Sequence, residues 1–178
     1  MEHLKGHIAI ISGSPGSGKT TTAEAIAHRP GIAKVHVHSD DFWGNIKNGH
    51  IPPWLPESDT QNRMVNQIAA DVSARYAEHD YLVLLDGVVR PWWIPAFEAT
   101  GRPVHYIVLR TSVEDVVARC LARGGDSLTD PAVVTDLHDQ FADLGVYERH
   151  VLPTDGLNPA GTIEAVIAGL ESGDYRLP

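Results

Sequence analysis

The chain carries one cysteine, Cys120, in 178 residues. It cannot form an internal disulfide, and that scarcity suits a reducing compartment. Basic residues are also few. Fourteen Lys and Arg stand against 23 Asp and Glu, for a formal net charge of −9. Proteins that bind nucleic-acid polymers usually carry a basic face, so this balance makes nucleic acid an unlikely partner. No apolar run approaches the roughly 18 residues of a membrane-spanning helix. Residues 1–5 are polar and the first apolar run is short, so no secretory signal is expected. These absences predict a cytoplasmic protein with no membrane partner. No metal-ligand spacing joins the ten histidines. His36 and His38 alternate on one face of a candidate strand, which reads as a polar strand end rather than a metal site. Repeats, charge blocks and linker-like segments are missing too, so residues 1–178 read as a single domain. The oligomeric state is left open.

What the chain does have is Gly13-Ser14-Pro15-Gly16-Ser17-Gly18-Lys19-Thr20, which fits G-x-x-x-x-G-K-[ST] without a mismatch. Residues 7–12 before it are apolar and β-branched, the pattern of a buried strand. Residues 20–28 after it are Ala-rich and read as a helix. Strand, glycine loop and helix form the context in which this motif holds phosphate. Glycines let the backbone turn its N–H groups around an anion, and the helix N-terminus adds positive partial charge. Lys19 is expected to reach the β- and γ-phosphates, the Thr20 hydroxyl to ligate Mg²⁺, and Thr21 to complete the binding loop. ATP and Mg²⁺ are therefore the expected cofactors.

Beyond the loop, apolar strands alternate with amphipathic helices, the α/β pattern of a parallel sheet covered on both faces. Strands are expected over residues 33–37, 81–87 and 104–109, with a short fifth at 150–152. Helices are expected over 59–78, after a Thr111–Glu114 capping box to about 122, over 130–144 with Gly145 as stop, and over 159–170. Open parallel sheets place ligands at the carboxyl ends of their strands. Asp40-Asp41 follows the second strand and Asp86 ends the third. Neighbours on an extended chain point to opposite sides, so one of Asp40 and Asp41 faces the phosphate. The other caps a helix or holds a metal-bound water. Asp86 either accepts from Mg²⁺-bound water or makes a strand-end turn with Gly87. Arg119 and Arg123 lie one helical turn apart, before a Gly124-Gly125 break that could hinge a lid. Arg63, near the start of the third helix, and Arg90, before Pro91, are candidates to hold an anionic or hydroxylated acceptor. Phe42, Trp43, Trp54, Trp92 and Trp93 either wall an acceptor pocket or pack two loops onto the core.

Taken together, the phosphate loop, Asp40-Asp41, Asp86-Gly87 and the Arg119/Arg123 pair resemble the small P-loop kinases. That group includes shikimate and gluconate kinases, chloramphenicol phosphotransferase, zeta toxins and the kinase domain of polynucleotide kinase. The resemblance extends over nearly the whole chain in organisation. It implies a three-layer P-loop NTPase fold, a five-stranded parallel sheet in the order 2-3-1-4-5, and a helical lid. It implies catalytic roles for Lys19, for Asp40 (a better match than Asp41) as base, and for Arg119 and Arg123 in the lid. The loop at 154–159 is implied to lie near the nucleotide base. The chain departs from shikimate kinases in having Asp86-Gly87-Val88 where they carry three glycines. Residues 45–55 are similar to a gluconate kinase loop but lack its His-Pro pair. The expected activity is ATP-dependent transfer of the γ-phosphate to a hydroxyl of a small molecule. The alternatives are a nucleotide (cytidylate-like) or nucleic-acid-end kinase, and an ATP-binding regulatory NTPase with no small-molecule acceptor.

Overall fold

The computed structural model describes residues 1–123 and 128–178. Five strands form one parallel sheet: β1 (Ile8–Gly13), β2 (Lys34–His38), β3 (Leu82–Asp86), β4 (Val104–Arg110) and β5 (Val151–Pro153). Their spatial order is 2-3-1-4-5, as the resemblance implied. The central strands β1 and β3 are buried along their full length, which is why they read as continuous apolar runs rather than alternating ones. The edge strand β2 is half-buried and carries Lys34, His36 and His38 on one face.

The strand period of two sorts the core into two layers. Ile8 and Ile10 pack with Ala69 and Ala70 of α3 (Asp59–Ala77) and with Ile94 and Phe97 of α4 (Ile94–Glu98). Ala9 and Ile11 face the other way, onto α1 (Lys19–Ala27) and α7 (Pro159–Ser172) through Ala23, Ile26, Val166 and Leu170. Helices thus cover both faces, giving three layers. After Gly173, whose φ of +77° ends α7, the chain runs antiparallel beside β4. Tyr106 N–H donates to Tyr175 O at 2.9 Å and Leu177 N–H to Val104 O at 2.8 Å. β5 pairs only with Val108, Leu109 and Arg110, further along the same strand.

Three local expectations need correcting. Asp40 and Asp41 do not lie on extended chain; they open a short helix, α2 (Asp40–Gly44). Ser39 N–H makes the last sheet-like bond, to Asp86 O at 2.9 Å, and Phe42 N–H already returns to Ser39 O. The helix α5 (Val113–Arg123) is capped by Ser112, whose Oγ accepts from Asp115 N–H at 3.3 Å, not by a box starting at Thr111. The helix α6 (Pro131–Asp139) starts as expected, with Asp130 capping Ala132 N–H, but stops well before Gly145. Leu144 N–H is taken by the carboxylate of Glu148, four residues on, which also pairs with Arg110 of β4. Gly145 instead opens a 3₁₀ turn, Gly145–His150.

Candidate active site

The glycine loop turns at the carboxyl end of β1 and opens α1. Gly13, Gly16 and Gly18 hold φ values of +141°, +81° and +94°, which L side chains rarely adopt. Two of them are also tightly packed. A Cβ on Gly13 would sit 2.4 Å from Leu109 O, and one on Gly16 would sit 2.7 Å from Val116 O. The loop is therefore clamped between β4 and α5. Lys19 is buried and donates from Nζ to Ser14 O at 2.8 Å, drawing its ammonium across the loop. The Ser17 hydroxyl is buried without a hydrogen-bond partner among the described residues.

Thr20 donates from Oγ1 to Asp86 Oδ2 at 2.5 Å. Asp86 is 1% exposed, and two further contacts come from β2: His36 Nε2 at 2.6 Å and His38 Nδ1 at 3.0 Å from Oδ1. Burial pushes the Asp86 carboxyl up, but the hydrogen bonds from His36, His38 and Thr20 outweigh it and hold the group well below the usual carboxylate range. The hydrogen bond to Asp86 raises His38, against its own burial. The β2–β3 register explains the meeting, since His38 pairs with Asp86 directly. The sequence reading missed this. Its available signal was the alternation of His36 and His38 beside a strand that ends in an acid. Their donor atoms and the Asp86 oxygen lie within 4.8 Å of one another, a metal-like grouping that hydrogen bonding to Asp86 already accounts for.

A cleft of about 810 Å³ opens over the loop. Pro15, Gly16, Gly18, Lys19, Thr20 and Thr21 line its donor side. Asp40, Asp86 and Arg90 line it as well, with Trp43, Trp54 and Trp93 among its apolar walls. Asp41 is exposed and does not line it. His38 Nε2 stands 3.9 Å from Asp40 Oδ2. Trp43 is fixed by an indole N–H donated to Asn62 Oδ1 at 2.9 Å, which joins α2 to α3.

The other candidates fall differently. Arg119 reaches Gly16 O and Asp115 Oδ2, each at 3.4 Å; it touches the loop but not the cleft. Arg63 does not join the site. The helical turn of α3 carries it outward, where it is 75% exposed and pairs with Asp59. The Arg123 side chain and the Gly124-Gly125 break lie outside the described residues.

Hard oxygen ligands suit Mg²⁺, and a hydroxyl at the helix start facing a buried, ionised carboxylate is such a set. Thr20 and Asp86 therefore fit the metal that the fold implies.

A glycine loop between the central strand and a helix, acids at the carboxyl ends of β3 and β2 on one side of it, and a 2-3-1-4-5 sheet define the class: a P-loop nucleotide-binding protein with the fold of the small P-loop kinases. Within that class, the chain belongs to the AAA domain family, whose model matches residues 8–144. Among solved structures, a gluconokinase from Sinorhizobium meliloti 1021 superposes with a TM-score of 0.71 at 18% identity, over 94% of this chain and 93% of that one. The Deinococcus radiodurans tunicamycin resistance protein gives a TM-score of 0.68 at 19% identity, over 96% and 98%. The Mycobacterium tuberculosis APS kinase, solved with AMPPNP and APS, gives 0.66 at 15% identity, over 94% and 98%. Such identities speak for the fold. No curated protein matches the sequence closely enough to count as a relative.

Proposed function

We propose that the protein is an ATP-dependent phosphotransferase that moves the γ-phosphate to a hydroxyl of a small molecule. One observation carries the reading: a single cleft is lined by the phosphate loop on one side and the Asp40 carboxylate on another. A binding module needs only the first; transfer needs both. The gluconokinase and APS kinase likenesses support the same reading.

Bound Mg·ATP supplies the phosphoryl group and part of the charge that neutralises it. The protein's own work is positioning and electrostatics. Lys19 and the loop N–H groups hold phosphate oxygens, and Thr20 and Asp86 hold the metal side. His36 and His38 keep Asp86 ionised and oriented. Asp40 orients the acceptor hydroxyl and takes its proton as the acceptor oxygen bonds the γ-phosphorus and the bond to the bridging oxygen of ADP breaks. Trp43 and Trp93 exclude water from the same space. Arg119 stiffens the loop through Gly16.

Asp40→Ala is expected to abolish transfer, by at least about a hundredfold, while AMPPNP binding stays within about twofold of the parent. Transfer is read as labelled phosphate on an acceptor, and binding by calorimetry. Unchanged turnover would remove Asp40 from its role. Label appearing only as free phosphate, across sugars, nucleosides and antibiotics, would favour a regulatory NTPase instead.

A further inference from the structure

Arg90 stands just past β3, lines the cleft, and is only 6% exposed. Its segment is held firmly. Val89 O accepts from the Ser12 hydroxyl at 2.7 Å and the Tyr106 hydroxyl at 2.8 Å, and Val89 N–H donates back to Ser12 Oγ. The guanidinium lies over two indoles, 4.9 Å from the Trp93 ring centre and 5.6 Å from that of Trp92. Burial lowers its pKa to about 10, which leaves it a cation at neutral pH.

That cation lacks a counter-ion among the described residues. Its Nε has no hydrogen-bond partner, and no carboxylate among the described residues pairs with it. Five other arginines differ on both counts. Arg29, Arg63, Arg75, Arg110 and Arg119 each meet a carboxylate, and all five are more exposed. A buried charge without a partner is unfavourable, and aromatic faces offset only part of the cost. A planar guanidinium fixed at a cleft wall is matched by an oxyanion, which it binds through two parallel N–H bonds.

Asp40 and Arg90 share the cleft, so an acceptor there meets a base and a cation together. We propose that the acceptor is an alcohol that also carries an oxyanion, a carboxylate or phosphate group, seated on Arg90 with its hydroxyl toward Asp40. This rests on the phosphotransferase reading and narrows its substrate class to anions. The overall charge of −9 does not attract such a molecule, which leaves selection to Arg90, the buried cation on the cleft wall away from the phosphate loop.

The test uses the full-length protein saturated with Mg·AMPPNP. It is titrated with hydroxy acids, sugar phosphates and matched neutral polyols, beginning with D-gluconate, sorbitol phosphate and D-sorbitol. Thermal shift and calorimetry report binding. At least one anion is expected to bind while its neutral counterpart does not, and the carboxylate and phosphate arms show which oxyanion is preferred. Arg90→Met should weaken that anion by about ten- to hundredfold and leave AMPPNP binding unchanged; Arg90→Lys should recover part of the loss. The acid-over-polyol preference of the unaltered protein needs no variant, so a folding defect in Arg90→Met does not blunt the test. Equal binding of acid and polyol, anion binding indifferent to Arg90→Met, loss of AMPPNP in that variant, or no anion bound would each overturn the proposal. Labelled ATP on the same panel separates the two readings. A phosphorylated neutral polyol keeps the phosphotransferase and overturns the anionic acceptor. Arg90-dependent anion binding without transfer keeps the anion site and overturns the phosphotransferase.

Discussion

His105 shows how a single buried group ties stability to pH. It is 1% exposed, its Nε2 meets His7 Nδ1 at 3.0 Å, and its own Nδ1 has no partner. Burial first, then His7, Arg176 and His3, push its pKa down from 6.5 to about 4. The folded value lies below the unfolded one, so the unfolded chain binds more protons between them. This contribution is therefore complete above about pH 6.5 and is lost as the pH falls toward about 4, at up to roughly 1.4 kcal/mol per pH unit. Urea melts across that window should show stability falling with acid, and a flatter dependence for His105→Gln. An unchanged slope in the variant would assign the acid sensitivity to other groups. Asp86 has the same sign in a lower window: hydrogen bonds depress its carboxyl, and its contribution is lost only in stronger acid. The two also differ in how visible they were in sequence. Asp86 could be read from its place at the end of an apolar strand. The histidines on it could not, because His36 and Asp86 are 50 residues apart and meet only through the β2–β3 register.

Among the elements, α2 depends on the glycine after β3. A Cβ on Gly87 would fall 1.9 Å from Ser39 Oγ and 2.9 Å from Ser39 Cβ. Ser39 immediately precedes Asp40, so that contact sets where α2 begins. Gly87→Ala should displace Ser39 and Asp40, lowering kcat with little change in AMPPNP affinity and costing about 1–3 kcal/mol of stability. Restoring space with Ser39→Gly in the same chain should recover much of both losses, and purely additive effects would argue against the contact. Steady-state kinetics and thermal melts read the comparison. What was legible among the elements follows the same logic of near and far. The loop and β1 were readable because their signals are contiguous: eight motif residues and an unbroken apolar run. The helix α3 was readable as a helix but not for its buried face, since Met64, Ile68 and Tyr76 are exposed while Asn62, Asn66 and Ser73 are buried. The end of α6 was not readable: past Asp139 the Phe141 and Ala142 amides turn back only three residues, and the Glu148 carboxylate that takes Leu144 N–H is held by Arg110 of the distant β4. Asp40-Asp41 was located correctly but given the wrong backbone, since nothing local signals that the sheet bonds stop at Ser39.

At the scale of the molecule, the sheet order brings the chemistry together. With β1 between β3 and β4, and β2 outside β3, the loop, Asp86 and Asp40 fall side by side at one end of the sheet. That much followed from alternating strands and helices and the resemblance to small P-loop kinases. The strand-like run at residues 175–177 did not, for three residues are too few to mark a strand and their partner is β4, some 70 residues earlier. Its Tyr175 ring packs against Gly169, where a Cβ would come within 2.4 Å of the ring. β5 is three residues long and leaves the first half of β4 without a strand neighbour on that side. The terminal run shields those backbone groups from a second copy of the chain. Deleting residues 174–178 should therefore produce concentration-dependent self-association while the cleft still binds AMPPNP, as light scattering and calorimetry can show. A deletion variant that stays dispersed at high concentration would mean this edge needs no cover. If it does need cover, residues 174–178 act as a guard against aggregation.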